Sequence, residues 1–365
     1  MTAAGQAFSS TYAQARDRFL QAARSAGLEV ESKLHPLTGI DGEDLAMDVA
    51  RHGHPDADRL LILSSACHGV EGYCGNGVQV SALQDAQLLE HATTSGVALL
   101  FIHALNPYGF SHLRRTTHEN VDLNRNFHDF SRPLPVNEAY RQIHSLLLPD
   151  EWPPSQANVD DVSRYLAAHG ESALQSAMTK GQYEFPDGLF FGGTRPTWSN
   201  LSLREVLRAH GRRAGRIAWI DIHTGLGPSG KGERIYAGPD EQDTITRARN
   251  WWGGNGASPV TSIYDGSSTS AFLTGLMWNA VPEECPQAQY TGIAIEYGTV
   301  PLLHTLQALR AEQWLYLHPA APAALAATIK GQFKAAFYTE TDEWKTQVLQ
   351  QARDALLQAV DGLRG

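Results

Sequence analysis

The chain has 365 residues, 42% of them hydrophobic and 19% charged, which is ordinary globular composition and enough length for one large domain or two modest ones. Its formal net charge of -10 is spread along the chain without a basic run, which argues against nucleic acid or an anionic membrane as partner and favours a small molecule or peptide. The opening stretch MTAAGQAFSSTYAQARDRFL lacks the apolar core of a secretory signal, and no segment approaches the about 20 apolar residues of a membrane span. Three cysteines, Cys67, Cys74 and Cys285, are too few and odd in number for a disulfide framework. Together these features predict a soluble, cytoplasmic protein with reduced thiols.

Residues 9–26 carry apolar side chains at helical spacing (Tyr12, Ala15, Phe19, Ala22, Ala23) and break at Gly27, which predicts a first helix. LEVESKLH and LAMDVARHG alternate apolar and polar residues around the turn GIDGED, the pattern of a β-hairpin. RLLILSSA and GVALLFIHAL are continuous apolar runs, which fit strands buried on both faces. Between them NGVQVSALQDAQLLEHATT has helical spacing, so residues 59–106 read as a strand, helix, strand unit of an α/β sheet. The stretch of about 129–210 is richer in Pro, Trp and polar residues, with helical pieces such as NEAYRQIHSLLL, and reads as an insertion covering one face of the sheet and its cleft. RIAWIDIHTG and YTGIAIEYGT are two more Ile-rich strands that end in a polar residue followed by glycine. From about residue 304 the tail is helical, and its amphipathic pattern packs on the chain's own core or against a second copy.

The polar residues that close these strands carry the chemistry. In SSACHGVEGYCGNG an apolar run stops on a histidine, a glutamate and four glycines, the composition of a metal-binding turn. His68 and Glu71, three residues apart, offer an imidazole nitrogen and a carboxylate to one divalent ion. A catalytic zinc takes three protein ligands and leaves one position open, and His223 in WIDIHTGLGPSG is a candidate for the third, since strand ends of an open α/β sheet share a crevice that His68 and His223 could both face. Asp221 lies two residues earlier on the same strand face, placed either to orient His223 or to pair with an arginine. Cys67 and Cys74 flank the pair and read as small packing residues. Arg114, Arg115 and Arg125 with Asn124, in NPYGFSHLRRTTHENVDLNRNF, suit carboxylate or oxyanion recognition, or else surface ion pairs with Glu119, Asp122 and Asp129. Glu296 in GIAIEYGT is a strand-end carboxylate fit for proton transfer or for pairing with an arginine.

Read in order, HGVE, NPYGF…LRR…VDLNRNF, DIHTG and IEYGT resemble the zinc carboxypeptidase family, and most closely its bacterial carboxypeptidase-like branch, in a clan shared with aspartoacylase and succinylglutamate desuccinylase. The resemblance spans residues of about 60–300 and implies a single catalytic domain over 1–365, phosphorylase/hydrolase-like, with a mixed, mostly parallel central sheet flanked by helices. It implies one Zn²⁺ held by His68, Glu71 and His223, Glu296 as general base, Arg114 as the group that polarises the scissile carbonyl, and Asn124 with Arg125 holding the substrate's free carboxylate. No role follows for Arg115, and Tyr264 is a candidate for the family's substrate-covering tyrosine. The function expected is zinc-dependent hydrolysis of an amide or peptide bond next to a free carboxylate. Removal of a C-terminal residue and deacylation of an N-acyl amino acid share that machinery, and a non-catalytic carboxylate- or peptide-binding protein is the alternative from another class.

Overall fold

The structure, a computed structural model, describes residues 3–254 and 259–365. Among these residues eight strands form one mixed sheet in the order β1-β2-β4-β3-β5-β8-β6-β7: β1 Val30–Thr38, β2 Asp44–His52, β3 Arg59–Ser64, β4 Val97–His103, β5 Arg216–Ser229, β6 Gly232–Tyr236, β7 Val260–Thr261 and β8 Gln289–Gly298. The central strands β4, β3, β5 and β8 run parallel. The hairpin β1–β2 adds antiparallel to β4, and β6 adds antiparallel to β8. This is the α/β, mixed and mostly parallel sheet that the sequence led us to expect.

The continuous apolar runs are explained by two-sided burial. On β3, Leu61 and Leu63 enter one core cluster while Leu60 and Ile62 enter the other, and β4 alternates in the same way. One face is covered by the helices Tyr12–Ser25, Gly72–Gln84 and Asp342–Arg364, the other by the helix Trp198–His210. The first helix begins where the Thr11 hydroxyl accepts the Gln14 N–H.

One expectation is corrected here. The glycine-rich stretch after His68 is not an open turn, because a short 3-10 turn over Gly69–Glu71 runs straight into the helix Gly72–Gln84. Its glycines are there for close packing: a Cβ on Gly75 would lie 2.4 Å from the Ser65 Cβ, and one on Gly69 would lie 2.0 Å from the Gly109 carbonyl carbon. The single helix expected between β3 and β4 is also two, divided at Asp85, whose carboxylate accepts the Leu88 N–H and starts the second.

Chain order reverses at β3, with β4 on one side of it and β5 on the other. Strands that diverge in this way open a crevice at their carboxyl ends. The insertion expected at 129–210 contains the helices Glu138–Leu147, Gln156–His169 and Glu171–Thr179 before the chain returns to the sheet through Trp198–His210, and its residues Met178, Thr179 and Phe190 face the crevice. The tail is helical over Leu302–Leu317, Ala323–Phe337 and Asp342–Arg364, and its last helix buries Trp344, Val348 and Leu356 against the core. No helix among the described residues is long and apolar enough to cross a membrane.

Candidate active site

His68, Glu71 and His223 meet in the crevice. His68 precedes the 3-10 turn that carries Glu71, and its Nδ1 lies 2.9 Å from Glu71 Oε1. His223 Nδ1 lies 3.1 Å from Glu71 Oε2 and 3.3 Å from His68 Nδ1. The three side chains are buried and present one donor atom each within 4.8 Å of one another. Two imidazoles and a carboxylate converging with their ring Nδ1 atoms inward fit a divalent ion of the zinc type.

Each ligand is held from behind. Asp122 Oδ1 lies 3.2 Å from His68 Nε2; with a proton on Nε2 it accepts that N–H, and the Nδ1 lone pair is then left for an ion. The Asp221 carboxylate lies against His223 Nε2, accepts the Ser64 hydroxyl at 2.5 Å through its other oxygen, and Ser64 in turn accepts the Trp219 indole N–H at 2.7 Å. The Thr224 N–H donates to Glu71 Oε2 at 3.2 Å. Burial opposes ionisation of Glu71, but the two histidines outweigh it and keep its carboxyl well below the usual range. Burial likewise opposes charge on Asp122, and Arg115 and His68 overcome it. Of the two options for Asp221, orientation of His223 is the one the geometry realises.

Glu296 stands beside His223, its register partner on the neighbouring strand, and lines the same cleft. Its Oε1 accepts the Leu226 N–H at 3.0 Å. Burial first, and then the Glu71 carboxylate, push its carboxyl up to about 8. A carboxyl in that range gives and takes protons near neutral pH.

The adjacent arginines separate. The carbonyls of Arg114 and Arg115 accept the N–H groups of Val70 and Gly69, which pins this segment against the 3-10 turn. Arg115 enters the cleft, with Nη1 3.3 Å from Glu71 Oε1, Nε 2.9 Å from Asp122 Oδ2 and Nη2 2.7 Å from His68 Nε2. Arg114 points away into a buried cluster, donating to Glu312 at 2.8 Å and Asn120 at 3.0 Å with its guanidinium over the Tyr316 ring. The expectation that Arg114 faces the scissile carbonyl is therefore corrected, since Arg114 does not line the cleft and its Nε and Nη2 are bonded in that buried cluster.

Asn124 and Arg125 do line the cleft. Asp122 starts their turn by accepting the Asn124 N–H, and Asn124 Oδ1 accepts the Met277 N–H at 3.0 Å. Arg125 donates to the Thr179 carbonyl from Nε and Nη2 and to the Asn124 carbonyl from Nη1. Three of its five N–H groups are thereby used, and one on each terminal nitrogen stays available for a ligand. Tyr264 is held elsewhere, its hydroxyl donating to the Gly238 carbonyl at 2.8 Å. No tyrosine lines the cleft among the described residues. Cys67 is buried beside Asp221, and burial, then that carboxylate, push its thiol well above the usual range, which suits a packing residue. The sequence reading passed over Ser64 and gave Asp122 only as an ion-pair partner; the V-D-L-N-R-N segment itself held the signal for Asp122.

Fold and site define an α/β protein with a candidate metal centre at the carboxyl ends of parallel strands, inside a cleft. A family model described as "Protein of unknown function (DUF2817)" matches residues 8–351, and the chain belongs to that family. No curated protein matches the chain. Solved structures similar to it include a carboxypeptidase A from Helicoverpa armigera, with 12% identity over 90% of this chain and 74% of that one at a TM-score of 0.41. A metallo-carboxypeptidase from Pseudomonas aeruginosa has 15% identity over 95% and 69% at 0.41. One from Burkholderia cenocepacia has 11% identity over 95% and 68% at 0.45.

Proposed function

We propose that the protein is a metal-dependent hydrolase of amide bonds next to a free carboxylate. The observation that carries this reading is the convergence of His68, Glu71 and His223 in a cleft that the carboxyl of Glu296, the register partner of His223, also lines. A divalent ion held by those three residues, zinc being the natural fit, supplies Lewis acidity and lowers the pKa of bound water to about 7.

The chain's own residues account for the rest. Glu296, steadied through Oε1 by the Leu226 N–H, takes the proton of the attacking water on Oε2 and delivers it to the leaving nitrogen. Arg115 donates N–H groups toward the carbonyl oxygen as negative charge develops there. The free N–H groups of Arg125, with Asn124, receive the substrate carboxylate.

Removal of a C-terminal residue and deacylation of an N-acyl amino acid both fit these roles. The presence of Met178, Thr179 and Phe190 from the insertion in the cleft wall favours small substrates. The test is mass-spectrometric product analysis after incubating zinc-loaded protein with short peptides and N-acyl amino acids, beside a chelated control. Chelator-sensitive release of a terminal residue or acyl group supports the reading; metal bound tightly without any product favours a carboxylate- or peptide-binding protein instead.

A further inference from the structure

The walls of the cleft on either side of the polar centre are apolar, and they belong to different parts of the molecule. On one side stand Ile235, Ile263, Leu273, Trp278 and Ala294. Ile235 and Ala294 are cross-strand partners on β6 and β8, and Ala294 shares its strand face with Glu296. The Met277 N–H bond to Asn124 Oδ1 joins this wall to the carboxylate-binding pair, so it adjoins that end of the site.

On the other side stand Leu306, Leu309 and Phe337. The Thr224 hydroxyl donates to the Phe337 carbonyl at 2.6 Å and the Thr305 hydroxyl to the Gly225 carbonyl at 3.4 Å, which fixes these helices against the residues just after His223. The two walls also fall in separate core clusters, Leu306, Leu309 and Phe337 in one and Ile235, Ile263, Trp278 and Ala294 in the other.

The only carboxylates lining the cleft among the described residues are Glu71 and Glu296, both committed at the centre. A basic side chain entering either lobe thus finds no counter-charge, and an acidic one finds only the arginines already assigned to the carboxylate and carbonyl. Burial of an unpaired charge in such a lobe is costly, whereas an alkyl or aromatic group gains by leaving water.

We infer that the substrate is a small amide with an apolar group on each side of the scissile bond: an N-acyl apolar amino acid or an apolar dipeptide, its amino-acid side chain in the Ile263–Trp278 lobe and its acyl part in the Leu306–Phe337 lobe. This rests on the hydrolase reading for its chemistry, though not for the shape of the site.

The experiment measures kcat/KM of the zinc-loaded protein on N-acetyl and N-hexanoyl derivatives of leucine, phenylalanine, lysine and aspartate. Calorimetric binding of the same compounds to Glu296→Gln runs alongside. We expect hexanoyl-leucine and hexanoyl-phenylalanine to exceed the lysine and aspartate compounds by tenfold or more, and hexanoyl to exceed acetyl on the same amino acid, the scale that methylenes in apolar pockets set. Ile263→Asp places an anion in the first lobe and should raise lysine over leucine. Turnover that favours charged amino acids, or ignores acyl length, overturns the inference and leaves the hydrolase reading standing. Apolar-selective binding without turnover of any compound removes the hydrolase reading and keeps the two-lobed site; binding without apolar preference overturns the inference whatever the turnover.

Discussion

His223 on β5 and Glu296 on β8 are register partners on adjacent parallel strands, so the third metal-ligand candidate and the candidate base are fixed relative to each other by the sheet. A base positioned by backbone pairing tolerates little change in side-chain length. Glu296→Asp withdraws the carboxylate by one methylene from the Leu226 N–H, and we predict a fall in kcat of about 100-fold with metal content unchanged. Steady-state kinetics with metal analysis checks it, and an unchanged kcat contradicts the role given to Glu296.

The two arginines should fail in different ways. Arg115→Lys keeps the charge but loses the planar fork, and kcat should fall by about 10²- to 10³-fold while the fold persists. Arg114→Ala should lower stability by about 2–4 kcal/mol in urea unfolding, because Glu312 is left with Lys330 as its remaining ionic partner. The reverse pattern returns the catalytic role to Arg114.

A pH effect on stability comes from His103, which does not line the cleft. Its ring stacks on Phe19 at 4.8 Å, and neither ring nitrogen has a hydrogen-bond partner. Burial lowers it from 6.5 to about 4, with Asp48 and Arg16 the charged groups nearby. Between those values the unfolded chain binds more protons than the folded one, so this contribution is present above pH 6.5 and lost as pH falls toward 4. Its full size is about 3 kcal/mol. His103→Phe should flatten the loss of stability between pH 6.5 and 4 relative to wild type in urea titrations; identical slopes contradict the assignment.

Gly75→Ala tests the packing that seats the Glu71 turn. The added methyl would meet the Ser65 Cβ at 2.4 Å, and both neighbours are held in the core. A stability loss of about 1–3 kcal/mol is expected from overpacking, together with weaker metal affinity as the helix shifts. Wild-type stability in this variant contradicts the close approach.

The central strands were legible because two-sided burial leaves continuous apolar runs, and their polar closing residues His68, His223 and Glu296 stood out against those runs. β7, two residues long, has too little pattern to read. The glycines after His68 looked like a turn because glycine serves turns and tight helix contacts alike, and only the packing partners Ser65, Phe110 and Phe8 separate the two uses. Arg114 and Arg115 are told apart by partners distant in the chain, Glu312 for the one and Glu71 with His68 for the other, which no local pattern records. The apolar lobes are likewise assembled from residues 235, 263, 306 and 337, far apart in the chain and ordinary in type.

The most direct test of the metal-centre account compares His223→Ala with Glu296→Gln after zinc loading and dialysis, reading bound metal and turnover on the amide panel together. The account predicts that His223→Ala loses both, while Glu296→Gln keeps the metal and loses turnover by about 10²- to 10⁴-fold. Retention of metal at wild-type affinity by His223→Ala, or wild-type turnover by Glu296→Gln, contradicts it.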